Sequence, residues 1–313
     1  MARRADVLLE NFSPGTMDDL GVGWSRLHEL NPRLIYASGS GFGLSGPDRD
    51  NLAMDMTIQA ASGIMSVTGF PDGPPVKAGP TLVDFMGGIH LYGAIMTALF
   101  EREKSGQGRL VEVAMQETVY SSLAASFEYY HRTGNPPPRA GNRQAGLSST
   151  PYNVYPCSDG HVAIHVVTEG HWTNLIKAMG REDLGDDPRF KTNADRVAHM
   201  DETDAVVSEW TRTLGKMDVF ARLKAGRVPC APVRTAPEVM NDPHMHERGM
   251  LRRVEHPELG EIVVPTNPLR LHGLPQPPLI HSPKPGQHNT EIYGDWLGLG
   301  ADAVAALKAE GVI

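Results

Sequence analysis

From residue 85 to residue 100 the chain contains no Asp, Glu, Lys or Arg. This run, FMGGIHLYGAIMTALF, is too long for a strand and predicts a helix buried on most faces, inside the stretch 79–103 around which the rest of the chain is organised. Gly87, Gly88, Gly93, Ala94 and Ala98 add little bulk to the helix, which suits close approach by a neighbouring backbone. Upstream, residues 5–12 (ADVLLENF) and 34–40 (LIYASGS) are short apolar runs bounded by turn residues, the pattern of strands in a parallel sheet. Between them residues 17–30 have helical patterning, stopped by Pro32. Residues 52–69 read as an amphipathic helix with Asp55 and Gln59 one turn apart, a polar pair of the kind that ordinarily serves structure. Residues 110–115 alternate as a strand and 116–132 follow as a helix, so the first half predicts an α/β layer.

Residues 134–146 (GNPPPRAGNRQAG) are rich in Pro, Gly and Arg and mark a linker between domains. Beyond them residues 152–167 predict a hairpin turning at Ser158, Asp159 and Gly160, and residues 170–179, 196–212 and 216–225 predict helices. A β-rich stretch extends over 228–271. The proline-rich segment 274–287 is extended and spans back to the first domain before a helical tail. The division expected is therefore a large α/β domain over 1–146, a smaller α+β domain over 147–272, and a linker and tail over 273–313.

Composition narrows the function classes. A formal charge of −8 argues against nonspecific nucleic-acid binding while leaving room for a local basic pocket. Cys157 and Cys230 have neither metal spacing nor a disulfide framework and fit a reduced, cytoplasmic setting. No apolar run reaches membrane-spanning length and no signal-peptide core follows the opening residues. His244, His246 and His256 lack a supporting carboxylate cluster, so no metal site is expected. Gly39, Gly41, Gly43 and Gly46 suit close approach of backbone to a ligand at the sheet's carboxyl edge, although they spell neither GxGxxG nor GxSxG. Asp84 falls where the uncharged helix begins. Taken alone it reads as an N-cap, whose ionised form the helix dipole favours.

Read together, the blocks ADVLLENFSPGTM, NPRLIYASGSGFGLSGP, MDMTIQAASGIMSVTG, GPTLVDFMGGIHLYGAIMTALFEREKSGQGRLVEVAM and PGQHNTEIYGDWLGLGADAVAALKAEGVI strongly resemble family III CoA-transferases, the CaiB/BaiF family. That family includes formyl-CoA and carnitine CoA-transferases, and its scaffold also carries α-methylacyl-CoA racemase. The resemblance implies a Rossmann-like large domain, a smaller α+β domain and two ring-shaped subunits interlocked as a homodimer. Family members begin with further strand–helix units ahead of ADVLLENF, so the N-terminal part of the large domain is expected to be incomplete here.

By the same resemblance Asp84 matches the catalytic aspartate, which takes the acyl group as an anhydride and then CoA as an aspartyl thioester. Coenzyme A enters as the acyl-CoA substrate, with a carboxylic acid as acceptor. Asn11 and Phe12 match a pair lining the CoA site, and Gln59 a position close to it. Ser40 and Asp19 stand where formyl-CoA transferase has a lysine and an arginine, so the contacts to the CoA phosphates must differ. Arg3, Arg4, Arg139 and Arg143 either compensate or are solvated surface charges. Met54 occupies the place of the racemase histidine and cannot shuttle a proton, which disfavours racemase chemistry. Two alternatives to a transferase stay open: a shortened, catalytically silent member or dimerising fragment, and a racemase-type enzyme.

Overall fold

The computed structural model describes residues 1–313, a mixed α/β chain that divides into two compact units, Met1–Val233 and Arg234–Ile313. The first unit holds two small sheets. Strand β1 (Val7–Glu10) leads into helices α1 (Thr16–Asp19) and α2 (Trp24–Leu30), then strand β2 (Ile35–Ser40). The single helix expected over 17–30 is split. Gly21 takes a positive φ of 71°, and a side chain on Gly23 would collide with the Asp18 carboxylate, so the chain turns between the two pieces. Trp24 and Leu27 of α2 pack with Leu34 and Tyr36 over one face of the sheet.

Helix α3 (Asp55–Ala61), a 3₁₀ turn (Ile64–Val67) and helix α4 (Leu82–Ser105) connect β2 to strand β3 (Leu110–Ala114). The helix expected over 52–69 is cut short because Gly63 turns with φ 87°. The three strands are parallel in the order β1-β2-β3, with Leu8, Tyr36 and Leu110 in register. A 3₁₀ stretch (Glu117–Leu123) and helix α5 (Ala124–Thr133) complete this part.

Helix α4 lies on the sheet through Val83, Gly87, Leu91, Ala98 and Arg102. Gly39 of β2 leaves the room that the Leu91 side chain fills, and Gly87 faces Met115 at close range. Gly88 and Gly93, by contrast, face open space, so only part of the small-residue surface makes the tight contact expected. At its far end Arg102 is buried, donating to the Arg33 carbonyl at 2.9 Å and to Asp6 Oδ1 at 3.0 Å. The expectation that α4 is buried on most faces does not hold. Phe85, Ile89, Tyr92, Met96 and Phe100 are exposed by 47–71%, because a three-stranded sheet covers one face of a 24-residue helix and leaves the opposite one bare. The expectation that no apolar run reaches membrane-spanning length is corrected too, since α4 is by length and composition long and apolar enough to cross a membrane, a test that a core helix of a soluble protein passes equally.

The second sheet is antiparallel, in the order β4 (Tyr152–Cys157), β5 (Gly160–His165), β6 (Cys230–Pro232). Helices α6 (Glu169–Met179), α8 (Met200–Thr211) and α9 (Lys216–Ala225) share with it a core around Tyr155, Ile164, Trp172, Leu175, Val207 and Leu223, and α7 (Asn193–Ala198) adjoins α8. Cys157 and Cys230 pack against this core, and burial pushes the Cys230 thiol up to about 11. Residues 134–146 join the two sheets inside the first unit.

The second unit contains helices α10 (Ala236–Met240) and α11 (Pro243–Glu247), the hairpin of β7 (Leu251–His256) and β8 (Gly260–Pro265), a π-helical turn (Thr290–Trp296) and helix α12 (Ala301–Ala309). Its two short helices interrupt the expected β-rich stretch, with starts signalled by the Thr235–Glu238 capping box and by Asp242 ahead of Pro243. His244 and His246 lie on α11, and no three His, Cys, Asp or Glu side chains anywhere are grouped to hold a metal ion.

Candidate active site

The site is built at the head of α4. Its N-cap residue is Thr81, whose side chain caps nothing. The orphan N–H groups of the first turn are met instead from α3, 28 residues upstream: Asp55 Oδ1 accepts from the Val83 N–H at 2.9 Å and from the Asp84 N–H at 3.4 Å. The other oxygen, Asp55 Oδ2, accepts from Gln59 Nε2 at 2.6 Å, and Gln59 Oε1 accepts from the Ala78 N–H at 2.8 Å. One carboxylate and one amide thus tie α3, the loop before α4 and the first turn of α4 together. The apolar floor under this knot is Ile58, Val83 and Val119, all fully buried.

Asp84 is therefore not the cap. It sits one residue beyond Val83 on the exposed side of the first turn, and its carboxylate makes no hydrogen bond or ion pair within the chain. Its pKa is raised, first by partial burial and second by the negative charge of Asp55. An aspartate held this way has its lone pairs uncommitted and is more basic than a capping aspartate would be.

The other expected site residues fall into two places. Asn11 and the half-exposed Phe12 follow β1, and Ser40 ends β2, so these three lie at the carboxyl ends of neighbouring strands. The Phe12 N–H donates to Glu10 Oε2 at 2.8 Å, and Ser40 Oγ accepts from the Gly43 N–H at 3.0 Å. Gly41 follows directly and must be glycine, since a Cβ there would lie 2.0 Å from the Ala53 side chain. That close approach brings the residues entering α3 against the end of β2. Gln59 stands apart from the edge group: fully buried, with both amide atoms engaged, it belongs with Asp55 and Asp84. Met54 is 75% exposed beside Asp55 and offers no titratable group.

Two arginines considered for phosphate contacts are committed elsewhere. Arg139 donates to the carbonyls of Phe70 and Gly73, and Arg143 pairs with Asp201 and Asp204. Arg3 and Arg4 lie at the exposed start of the chain. A cation that patterning did not single out is Arg49, whose guanidinium reaches the turn at Gly15 after β1. Asp55 as the cap of α4 was also not legible from patterning. Its spacing to Gln59 was visible, but its partner lies across a loop.

A family model described as CoA-transferase family III matches residues 1–289. Over 330 aligned residues the chain is 36% identical to a formyl-CoA:oxalate CoA-transferase of Streptomyces avermitilis, covering all of this chain and 80% of the relative. It is 37% identical to a succinyl-CoA–D-citramalate CoA-transferase of Chloroflexus aurantiacus, covering 98% of this chain and 76% of that one. A crystal structure of a CaiB/BaiF family protein from Brucella suis superposes with a TM-score of 0.83 at 32% identity, over 94% of this chain and 76% of that one.

Proposed function

The chain belongs to CoA-transferase family III, and from that premise we propose that it moves CoA from an acyl-CoA donor to a carboxylic acid through covalent intermediates on Asp84. The observation that carries this reading is the uncommitted Asp84 carboxylate at the head of α4, in a turn whose capping is done by Asp55. A carboxylate needs no separate base to attack a thioester. In the first step an Asp84 oxygen bonds to the donor's acyl carbon, the C–S bond breaks and CoA leaves as thiolate. The thiolate then attacks the Asp84 carbonyl of the anhydride, releasing the donor acid as its carboxylate and leaving an aspartyl-CoA thioester. The acceptor carboxylate attacks that thioester and displaces the thiolate. The thiolate closes the cycle on the acceptor's carbonyl carbon and frees Asp84. Each step exchanges a carboxylate for a thiolate, so no proton is gained or lost.

Asn11, Phe12 and Ser40, at the carboxyl edge where open α/β sheets bind ligands, are proposed to contact CoA. Gln59 enters the same reading through Asp55. The acids named for the relatives are small, and oxalate and citramalate with formyl-CoA and succinyl-CoA are the first substrates to try. The active form is proposed to be a homodimer, supported by the bare apolar stripe of α4, and its place the cytoplasm, supported by two unpaired thiols.

The deciding experiment incubates purified protein with acyl-CoA donors and acids and follows the CoA products by mass. Transfer accompanied by hydroxylamine-trapped modification of the peptide containing Asp84 is the expected result. Transfer without such modification rejects the covalent route, and α-proton exchange of a 2-methylacyl-CoA in heavy water would favour racemase chemistry instead.

A further inference from the structure

One helix N-terminus is shared here by two carboxylates whose surroundings differ in kind. Both oxygens of Asp55 are committed, Oδ1 to the Val83 and Asp84 N–H groups and Oδ2 to Gln59. Those of Asp84 are uncommitted. The orphan N–H groups of a first turn ordinarily draw in the nearest carboxylate. Had Asp84 filled that role, N–H donors would stabilise its ionised form and occupy the lone pairs it needs for attack. Asp55 takes the donors first. Its hold is itself braced, because fully buried Gln59 bridges from Asp55 to the Ala78 N–H in the loop that delivers the chain into α4.

We propose that Asp55, braced by Gln59, is the positioning residue for Asp84: it caps α4 in its neighbour's place, fixes the backbone that aims Asp84, and leaves the Asp84 carboxylate free to attack. This rests on the reading of Asp84 as nucleophile. A second effect acts in the same direction, since the Asp55 charge adds to burial in raising the basicity of Asp84. Asp55 touches no reacting atom in this scheme.

The test uses the full chain and three variants. Asp55→Asn keeps shape and one acceptor oxygen but removes the charge, Asp55→Ala removes the cap, and Gln59→Leu removes the brace. The ¹³C titration of the Asp84 carboxyl and the hydrogen exchange of the Val83 and Asp84 amides are read without turnover. kcat, KM and the acid limb of the pH profile are read with acyl-CoA and acid. In Asp55→Asn the Asp84 titration and the acid limb are expected to move together to lower pH. In Asp55→Ala the two amides should exchange faster and kcat should fall by about 100-fold at nearly constant KM, the scale of a misplaced reacting group. Gln59→Leu should show the same losses in smaller measure, and with Asp55→Asn it carries the test if the alanine variant does not fold.

A wild-type titration, acid limb and kcat in Asp55→Asn, together with unchanged exchange in Gln59→Leu, overturns the assignment. A rise in KM alone overturns it in favour of a direct substrate contact. Failure of the nucleophile reading shows elsewhere: the wild-type protein would transfer CoA without any hydroxylamine-trapped change at Asp84, whatever the Asp55 variants do.

Discussion

At the scale of single residues the central contrast is between Asp84 and Asp55. The pKa of Asp84 is raised by burial and then by Asp55, so folding disfavours its ionised form. The stability linked to this group is therefore fully present below the ordinary aspartate pKa of about 3.9 and is lost as pH rises through the raised value. Asn at this position never ionises and escapes that loss. Asp84→Asn should melt no lower than wild type at neutral pH, with any advantage vanishing as pH falls below the carboxylate range, while CoA transfer drops by roughly 1,000-fold or more, as expected when a covalent nucleophile is removed. Thermal scans at several pH values beside a transfer assay measure both. A variant that melts normally and transfers at near wild-type rate would make Asp84 structural. The position of Asp84 was legible in the sequence, from the family blocks and the uncharged helix behind it. Its freedom from capping was not, because the cap comes from residue 55 and joins it only after the loop 70–80 has folded back. The spacing of Gln59 from Asp55 was legible in the sequence, but its complete burial and its bond to the Ala78 N–H were not, because that partner lies 19 residues further along the chain.

At the scale of elements, the existence of α4 followed directly from sixteen residues without a charge, and the structure extends it only slightly at both ends. What covers each face was not legible, since an apolar residue declares that it avoids water without naming its neighbour. Phe85, Ile89, Tyr92, Met96 and Phe100 are spaced four, three, four and four residues apart, which places them in one stripe along the helix. Each large side chain covered by a partner contributes about 2 kcal/mol, so the stripe could supply roughly 10 kcal/mol to association before its entropic costs. Lysine at Ile89 and Met96 would remove two of the five contacts and place two charges in any interface. The double variant is expected to sediment as a monomer at concentrations where wild type is a dimer, and light scattering with chromatography gives the same comparison. Wild-type protein that stays a monodisperse monomer at high concentration would refute the proposal that this face holds a second copy.

At the scale of the whole first unit, the Pro-, Gly- and Arg-rich segment 134–146 was legible as a connection between two structured regions, while the role of its arginines was not. Each anchors the connection to a different side. Arg139 donates to the carbonyls of Phe70 and Gly73 in the loop leading to α4, and the Gly141 N–H donates to the Gly69 carbonyl at 2.9 Å. Arg143 Nε donates to Asp204 Oδ2 at 2.8 Å on α8, where Asn153 donates to the same oxygen and the buried Tyr155 hydroxyl donates to Asp204 Oδ1 at 2.7 Å. Buried Asp204 is thus the common acceptor that fastens the connection to the second sheet. Removing it leaves the Tyr155 hydroxyl and the Asn153 amide without this acceptor and leaves the Arg143 guanidinium with exposed Asp201 alone. Asp204→Ala should cost about 2–3 kcal/mol, below the 3–5 kcal/mol of a fully buried pair because Arg143 remains partly exposed. The urea midpoint should fall by the corresponding amount with its slope unchanged. The connection itself should open before the molecule unfolds, so trypsin is expected to cut after Arg139 and Arg143 several-fold faster than in wild type under native conditions. Tyr155→Phe, which removes one of the three donors and leaves the guanidinium paired, should lose stability without that gain in cleavage. Equal trypsin sensitivity in Asp204→Ala and wild type would mean that Arg139, the Gly69–Gly141 contact and the Arg143–Asp201 pair hold the connection without Asp204.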